Sequence, residues 1–333
     1  MVPAYNEAAS IGDTILSLQR QTLPPAEIVV IDDCSTDDTY AVAQSYGVTV
    51  LRPPKNTGSK AGAQNFALQF VTTPWVMAID ADTTLAPDAI EKLAPALDDE
   101  GVVAACGFVL PRYVNTVWER GRYVEYLFAF NFYKQIQDYY TKPLIASGCF
   151  SMYRTDVLKG VGGWSTRTLA EDMDLTWTFY EMGHRVRFIP EAMSYPIEPH
   201  DYGFMSKQLK RWSHGYVQNI QQHWRGILHV PYLRMAVAVQ LWDATIASTI
   251  YLFLLPLAAA IFSPWLLLGY VIDVPAVLVP VLAGAAPRGE TWKALTSVPA
   301  FFVLRTVNAI FFVKAVWAEV VLKKTFRTYE KGH

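Results

Sequence analysis

Cysteine is scarce in this chain. Cys34, Cys106 and Cys149 are the only three among 333 residues. They lie far apart and share no C-x-x-C spacing, which excludes zinc-finger and thioredoxin-like readings. Thiols without a framework are expected to be reduced and buried, and the domain carrying them cytosolic. An excess of either charge is also missing. Twenty-eight Lys and Arg face 30 Asp and Glu, a net charge of −2, so there is no basic footprint for nucleic acid. The basic residues that do cluster lie at Lys207–Arg211 and Lys323–Arg327. No signal peptide is expected from the first residues, and the sequence shows no internal repeat or low-complexity linker. Charge itself is nearly absent from Met235 to Pro287, where only Asp243 and Asp273 carry it.

The hydrophobic share is 52% and the mean hydropathy is positive, both high for a soluble protein. The excess sits in the second part, and residues 1–230 read as ordinary α/β sequence. The length allows one large domain with an appendage, or two domains. Met1-Val2-Pro3 reads as the stub of a first strand, so residues upstream are expected to be missing.

Apolar β-branched runs mark strands at Glu27–Ile31, Val48–Leu51, Trp75–Ile79 and Val102–Val109, with helical patterns between them. Ser10 is a candidate cap for the first helix. This alternation predicts an α/β fold: a mostly parallel sheet with helices on both faces. Ligands of such sheets bind at the carboxyl ends of the strands. Three polar clusters fall there: Asp32-Asp33, the Gly58-Ser59-Lys60 loop, and Asp80-Ala81-Asp82. Side chains two apart on an extended backbone point the same way, so Asp80 and Asp82 are candidates to share a magnesium or manganese ion that leaves sites for substrate phosphates. Asp at a strand end is also a turn former, and both roles stay open.

A long aromatic helix is predicted from Thr116 to about Gln137, and a strand with a glycine from Ala146 to Tyr153. That strand contains Ser147, Gly148, Cys149 and Phe150, where a ligand can approach the backbone. Glu171, Asp172 and Asp174 crowd the start of another helix, a position that also suits the helix dipole. From Ser206 a polar-aromatic helix sets Gln208, Arg211, Trp212 and Gly215 on one face. Three stretches are long enough to span a bilayer: Ala236–Phe262, Trp265–Ala286 and Pro299–Leu322. Arg288 and Lys293 argue that the loop before the third is cytosolic, and Lys323, Lys324 and Arg327 argue the same for the tail. A single crossing between them cannot satisfy both. Either the third stretch is interfacial or re-entrant, or the first region is one span plus an interfacial helix.

Taken in order, Pro-Ala-Tyr-Asn-Glu, Asp-Asp-x-Ser-x-Asp, Asn-x-Gly-x-Lys, Asp-x-Asp, Glu-Asp and Gln-x-x-Arg-Trp resemble the family 2 glycosyltransferases. The likeness is to the membrane-integrated processive branch of cellulose, chitin, hyaluronan and poly-N-acetylglucosamine synthases, and runs from Val2 to about Gly215. It implies a GT-A fold over residues 1–205, an interfacial helix region at 206–234, a transmembrane region at 235–322 and a basic cytosolic tail at 323–333. The implied enzyme is an inverting hexosyltransferase of the cell membrane with its catalytic domain in the cytosol. It would move a sugar from UDP-glucose or UDP-N-acetylglucosamine to the non-reducing end of a β-linked glycan.

The resemblance also assigns roles by position. Asp32 and Asp33, with Tyr5 and Glu7, would hold the uridine, and Lys60 would lie near the uracil or diphosphate. Asp80 and Asp82 would bind the metal-diphosphate, with Mg2+ or Mn2+ as the ion. Asp172 would be the general base. Glu171 and Ser147–Phe150 would border the acceptor, and Gln208, Arg211 and Trp212 would close over the diphosphate and stack on the acceptor sugar. The partners implied are the UDP-sugar, a glycan or glycolipid acceptor, the lipid bilayer and an accessory export subunit, with no nucleic acid. The alternative function is single transfer to a membrane lipid, as in ceramide glucosyltransferase-like enzymes. Two departures stand out: Ala170 precedes Glu171-Asp172 where Thr is common, and Ser59 separates Gly58 from Lys60.

Overall fold

The computed structural model describes residues 1–247 and 249–326. Arg327 and the rest of the expected basic tail lie outside the described residues, as does Ser248 within the first apolar stretch. The chain forms two compact units. The first is Met1–Arg112 with Lys134–Ile197, and the second is Tyr113–Tyr133 with the chain from Glu198 onward.

In the first unit, β1 (Val2–Ala4), β2 (Val29–Asp32) and β3 (Thr49–Leu51) make a parallel three-stranded sheet. α1 (Ile11–Gln19), α2 (Thr39–Ser45) and α3 (Lys60–Leu68) connect and follow these strands. Parallel neighbours need a crossover of this kind, and Ile11, Ile15 and Leu18 of α1 supply its buried face. Ser10 precedes α1 but does not accept from its amides; its hydroxyl donates to the Glu7 carboxylate at 2.7 Å.

The chain continues through β4 (Trp75–Ile79), β5 (Thr83–Leu85), α4 (Ala89–Leu93) and β6 (Val102–Val109). It leaves for α5 (Val117–Phe128) and re-enters at α6 (Lys134–Tyr139). It then forms β7 (Phe150–Arg154), α7 (Thr155–Gly160), α8 (Glu171–Glu181) and β8 (Arg185–Pro196). The second sheet has the order β4-β7-β6-β8-β5. Its β4–β7, β6–β7 and β5–β8 pairs are antiparallel, and only β6–β8 is parallel. The fold is thus α/β as predicted, with the first sheet parallel as expected and the second mixed. Three residues separate β4 from β5, too few for a crossover to a parallel neighbour, so β5 pairs with β8 instead. The two sheets meet where the Met1 amine donates to Met77 O at 2.7 Å and the Ile79 amide donates to Met1 O at 3.1 Å.

Every residue of β6 is buried, as its unbroken apolar run demands of a central strand. Gly107 lies at a register shift against β8. A Cβ there would lie 2.3 Å from both Ala192 O and the Phe150 ring, so a larger residue has no room.

The second unit is helical. α5 opens with a capping box between Thr116 and Glu119, and a π-type turn at Ala129–Tyr133 follows it. α9 (Tyr202–Gln222) is capped by Asp201, which accepts from the Phe204 amide at 2.9 Å. After it come α10 (Trp224–His229), α11 (Pro231–Leu241), α12 (Leu255–Ile261), α13 (Gly269–Ala285) and α14 (Thr291–Val316). Among the described residues two helices are long and apolar enough to cross a membrane, Pro264–Arg288 and Thr291–Val321.

The second of these lies along α5 and α9. Tyr123 donates to Glu290 at 2.8 Å and Asn308 to Glu125 at 3.1 Å. A Cβ on Gly121 would stand 2.8 Å from Ala300 O. Met205, Leu209 and Leu304 share an apolar cluster. Glu319 accepts from Gln218 at 2.9 Å and pairs with His214 at 2.7 Å.

Candidate active site

Loop β2–α2 and its neighbours form the first half of the site. Asp32 is wholly buried: one carboxylate oxygen accepts from the Ser35 amide at 3.1 Å, and the other faces the Arg52 guanidinium at 3.2 Å. Asp33 accepts from the Thr57 amide at 2.8 Å and the Thr57 hydroxyl at 2.9 Å. These two acids therefore organise the loop after β2 and the loop before α3. Glu7 is likewise buried, held by Ser10, whereas Tyr5 is exposed. Asn6 and Cys34 adopt positive φ. The Asn6 side-chain oxygen Oδ1 accepts from the Thr36 amide at 2.9 Å, which ties the β2–α2 loop to the one carrying Tyr5.

Ser59 explains the longer glycine loop. Gly58 has φ +82°, and Ser59 takes the N-cap of α3, accepting from the Gly62 amide at 3.1 Å. Lys60 thus becomes the first residue of the helix. Its ammonium pairs with Asp80, donates to Gly148 O at 2.9 Å and lies 4.0 Å from Glu171. One side chain joins three elements that are remote in sequence.

The acid pair itself does not sit on extended backbone. β4 ends at Ile79, and the Thr83 amide donates to Asp80 O at 3.1 Å, so Asp80-Ala81-Asp82 is a tight turn into β5. The period-two argument for convergence fails, because the chain reverses where the carboxylates begin. Asp82 carries a contact to the Thr83 hydroxyl at 3.2 Å. Among the described residues no third His, Cys, Asp or Glu completes a cage of protein ligands. Two carboxylates suit magnesium or manganese, which keep waters and accept phosphate oxygens; they do not suit a four-ligand structural zinc.

The expected strand from Ala146 is shorter. Ser147-Gly148-Cys149 is a turn closed by the Phe150 amide on Ser147 O at 3.1 Å, and β7 begins at Phe150. The Gly148 amide donates to the Asp172 carboxylate at 2.9 Å. A Cβ at 148 would meet both that carboxylate and the Lys60 ammonium at 3.1 Å, which is why the turn carries glycine. The other Asp172 oxygen accepts from the Met173 amide at 2.8 Å, so the start of α8 steadies this charge. Asp174 is instead locked in a two-pronged pair with Arg167 at 2.6 and 2.8 Å.

Sequence reasoning missed two supports. Lys134 is buried and donates to the Ser147 hydroxyl at 2.7 Å. Thr176 accepts from the Ala146 amide at 3.0 Å and donates to Asp172 O at 2.6 Å. Lys134 was hidden inside an aromatic run read as core. Thr176 had no signal beyond its place one turn after Asp172.

In the second unit, α9 is continuous through Gln208, Arg211, Trp212 and Gly215, so the predicted shared face exists. Gln208 accepts from Arg122 at 2.7 Å, and the Arg122 guanidinium lies 4.6 Å from the centre of a Trp212 ring.

A mixed α/β sheet with an acid turn after its fourth strand and a glycine turn facing a helix-start carboxylate defines the GT-A class of nucleotide-diphospho-sugar transferases. Residues 1–162 match the family model described as glycosyl transferase family 2. It is 26% identical over 220 residues to poly-β-1,6-N-acetyl-D-glucosamine synthase of Staphylococcus epidermidis, a match covering 65% of this chain and 53% of that protein. The same figures hold for the synthase of Staphylococcus aureus strain COL. The chain thus spans about half the length of the curated relatives it matches. Among solved structures, a Pyrobaculum calidifontis mannosyltransferase in complex with GDP-Man and Mn2+ superposes with a TM-score of 0.63 at 20% identity, covering 97% of this chain and 86% of that one. S. aureus TarS in complex with UDP gives 0.52 at 17%, covering 96% and 89%.

Proposed function

We propose that this chain is an inverting, membrane-associated glycosyltransferase. In this reading it transfers a hexose from UDP-N-acetylglucosamine or UDP-glucose to the non-reducing end of a β-linked glycan. The observation that carries the proposal is the junction at Gly148, where Lys60 holds the carbonyl and Asp80 while Asp172 holds the amide. Residues expected near the diphosphate, the metal and the acceptor are linked through one turn. The similarity to poly-β-1,6-N-acetyl-D-glucosamine synthases and to TarS with UDP favours a UDP-sugar. The mannosyltransferase with GDP-Man keeps a GDP-sugar within the test.

The chemistry follows from the charges. Asp172 is held by a turn amide and by the start of its own helix, and it is proposed to take the proton of the acceptor hydroxyl as general base. The hydroxyl oxygen forms the new bond to the anomeric carbon. The bond to the diphosphate oxygen breaks, and its electron pair leaves with UDP. One such displacement inverts the centre, so an α-linked donor yields a β-linked product. Asp80 and Asp82 would hold a divalent ion, which supplies charge stabilisation to the leaving diphosphate. Arg211 and Gln208 are proposed donors to the same anion. Trp212 offers a flat apolar face to a pyranose ring, and Ser147, Cys149, Phe150 and Glu171 are proposed to border the acceptor.

The packing of α14 supports one membrane arrangement. α14 lies along α5 through Tyr123–Glu290 and Glu125–Asn308. This side-by-side packing favours a third stretch that is interfacial or re-entrant. The segments before and after Ser263-Pro264 then make the two crossings, and Arg288, Lys293 and the tail all stay cytosolic. An impermeant reagent that labelled cysteine at position 290 in intact cells would overturn this topology.

The functional test is incubation of membranes containing the chain with radiolabelled UDP-sugars and GDP-mannose, followed by sizing of the product. A saccharide ladder from one UDP-sugar supports the proposal. A single sugar on an extractable lipid replaces glycan synthesis with lipid glycosylation, and no incorporation from any donor removes the reading.

A further inference from the structure

Arg122 of α5 is the largest charged side chain buried in the second unit, only 1% exposed. Its guanidinium donates to Glu125 at 2.5 Å and to Gln208 at 2.7 Å, faces Glu198 at 3.4 Å and touches the Met205 sulfur at 3.3 Å. It also lies over a Trp212 ring, 4.6 Å from the centroid. The two carboxylates have their own supports. Tyr126 donates to Glu198 at 2.7 Å, and Asn308 of α14 donates to Glu125 at 3.1 Å. A charge this deep is costly and persists where partners surround it. The partners here include two of the three motif residues on α9, so the cluster does more than join helices.

We infer that Arg122 is the positioning residue of the Gln208–Trp212 face, fixing both the polarity of the Gln208 amide and the plane of Trp212. The Gln208 carbonyl oxygen is spent on the guanidinium. Its amide NH2 is therefore the donor end, which bonds the Glu198 carboxylate and carries a second N–H of the kind a diphosphate would take. The guanidinium face against the indole holds Trp212, which is 37% exposed, in one orientation on an otherwise polar helix face. Lysine cannot replace this function, because a point charge lacks the planar fork that meets Glu125 and Gln208 together.

The inference rests on the glycosyltransferase reading, and its test separates the two. The full chain in nanodiscs is assayed for transfer, for UDP binding with Mn2+, for melting, and for hydrogen exchange over residues 206–216. The variants are Arg122→Lys, Arg122→Met combined with Glu198→Gln so that no carboxylate is orphaned, Trp212→Ala, and Arg122→Lys with Trp212→Ala. In folded Arg122→Lys, turnover is expected to fall about 10- to 100-fold, the worth of one hydrogen bond to a charged group. UDP affinity should change much less, exchange across 206–216 should accelerate, and Trp212→Ala should add little further loss. The Met and Gln combination should behave likewise. Wild-type turnover in either folded Arg122 variant, or losses that multiply with Trp212→Ala, would overturn the positioning role while leaving the enzyme reading intact. A wild-type chain that transfers from no donor fails earlier, and removes both.

Discussion

The Gly148 amide donates to the Asp172 carboxylate at 2.9 Å. A carboxamide oxygen can keep this bond, at the cost of the neighbouring Met173 amide's contact to the second oxygen. Asp172→Asn should therefore keep the turn and the fold while losing the base. Transfer is expected to fall by about 10^2- to 10^4-fold, the usual contribution of a positioned base, with Mn2+-dependent UDP binding retained by calorimetry. Retained turnover would take Asp172 out of the base role.

A divalent cation held by Asp80, as proposed, would compete with Lys60 for that carboxylate. The ammonium pairs with Asp80 and stands near Glu171, so it repels any cation that approaches. Lys60→Gln should tighten Mn2+ binding in the absence of nucleotide by about tenfold, which corresponds to about 1.4 kcal/mol. The same variant should weaken UDP-sugar turnover, because one cation fewer faces the diphosphate. Weaker Mn2+ binding in titrations of nucleotide-free protein would show that Lys60 supports the cation instead.

Gly121 sits where α5 meets α14, and a Cβ there would stand 2.8 Å from Ala300 O and 2.9 Å from Leu304 Cβ. Backbone cannot yield as a flexible side-chain end can. Gly121→Leu should destabilise the protein by about 1–3 kcal/mol, as overpacking does. The loss should appear as a lower melting temperature in detergent. An unchanged melt would mean that the two helices are not packed this closely.

Burial holds the Glu198 carboxyl above its ordinary value of 4.5, against the opposing pull of Arg122 and the Tyr126 hydroxyl. The unfolded chain then releases this proton at lower pH than the native one. Stability owed to the group is complete below the ordinary value and is lost as pH rises through the native value. Glu198→Gln removes that titration. The melting temperature of the wild type should decline relative to the variant as pH rises above 4.5. A difference that stays flat across that range would show that Glu198 titrates normally.

Much of the architecture could be read from the order of residues. Strand cores at Trp75–Ile79 and Val102–Val109 are where the apolar runs put them. The acidic helix start at Glu171 and the helix bearing Gln208 and Trp212 were equally legible. Strand direction was not. β7 runs antiparallel to both of its neighbours, and nothing in its alternation differs from that of a parallel strand. The short β5 had no signal of its own, since three residues carry no period.

The residues by themselves determined the inventory: which acids, which lysine, which glycine turn and which aromatic helix the chain carries, and in what order. Local spacing is enough for that, because caps, turns and periodic faces are set by neighbours within a few residues. Only the folded chain decided how each charge is used. Asp33 is committed to Thr57, Asp174 to Arg167 and Lys60 to Asp80, while Arg122 reaches across 86 residues to Gln208. The fate of a charge depends on what surrounds it after burial, and those surroundings are assembled from segments that the sequence keeps far apart.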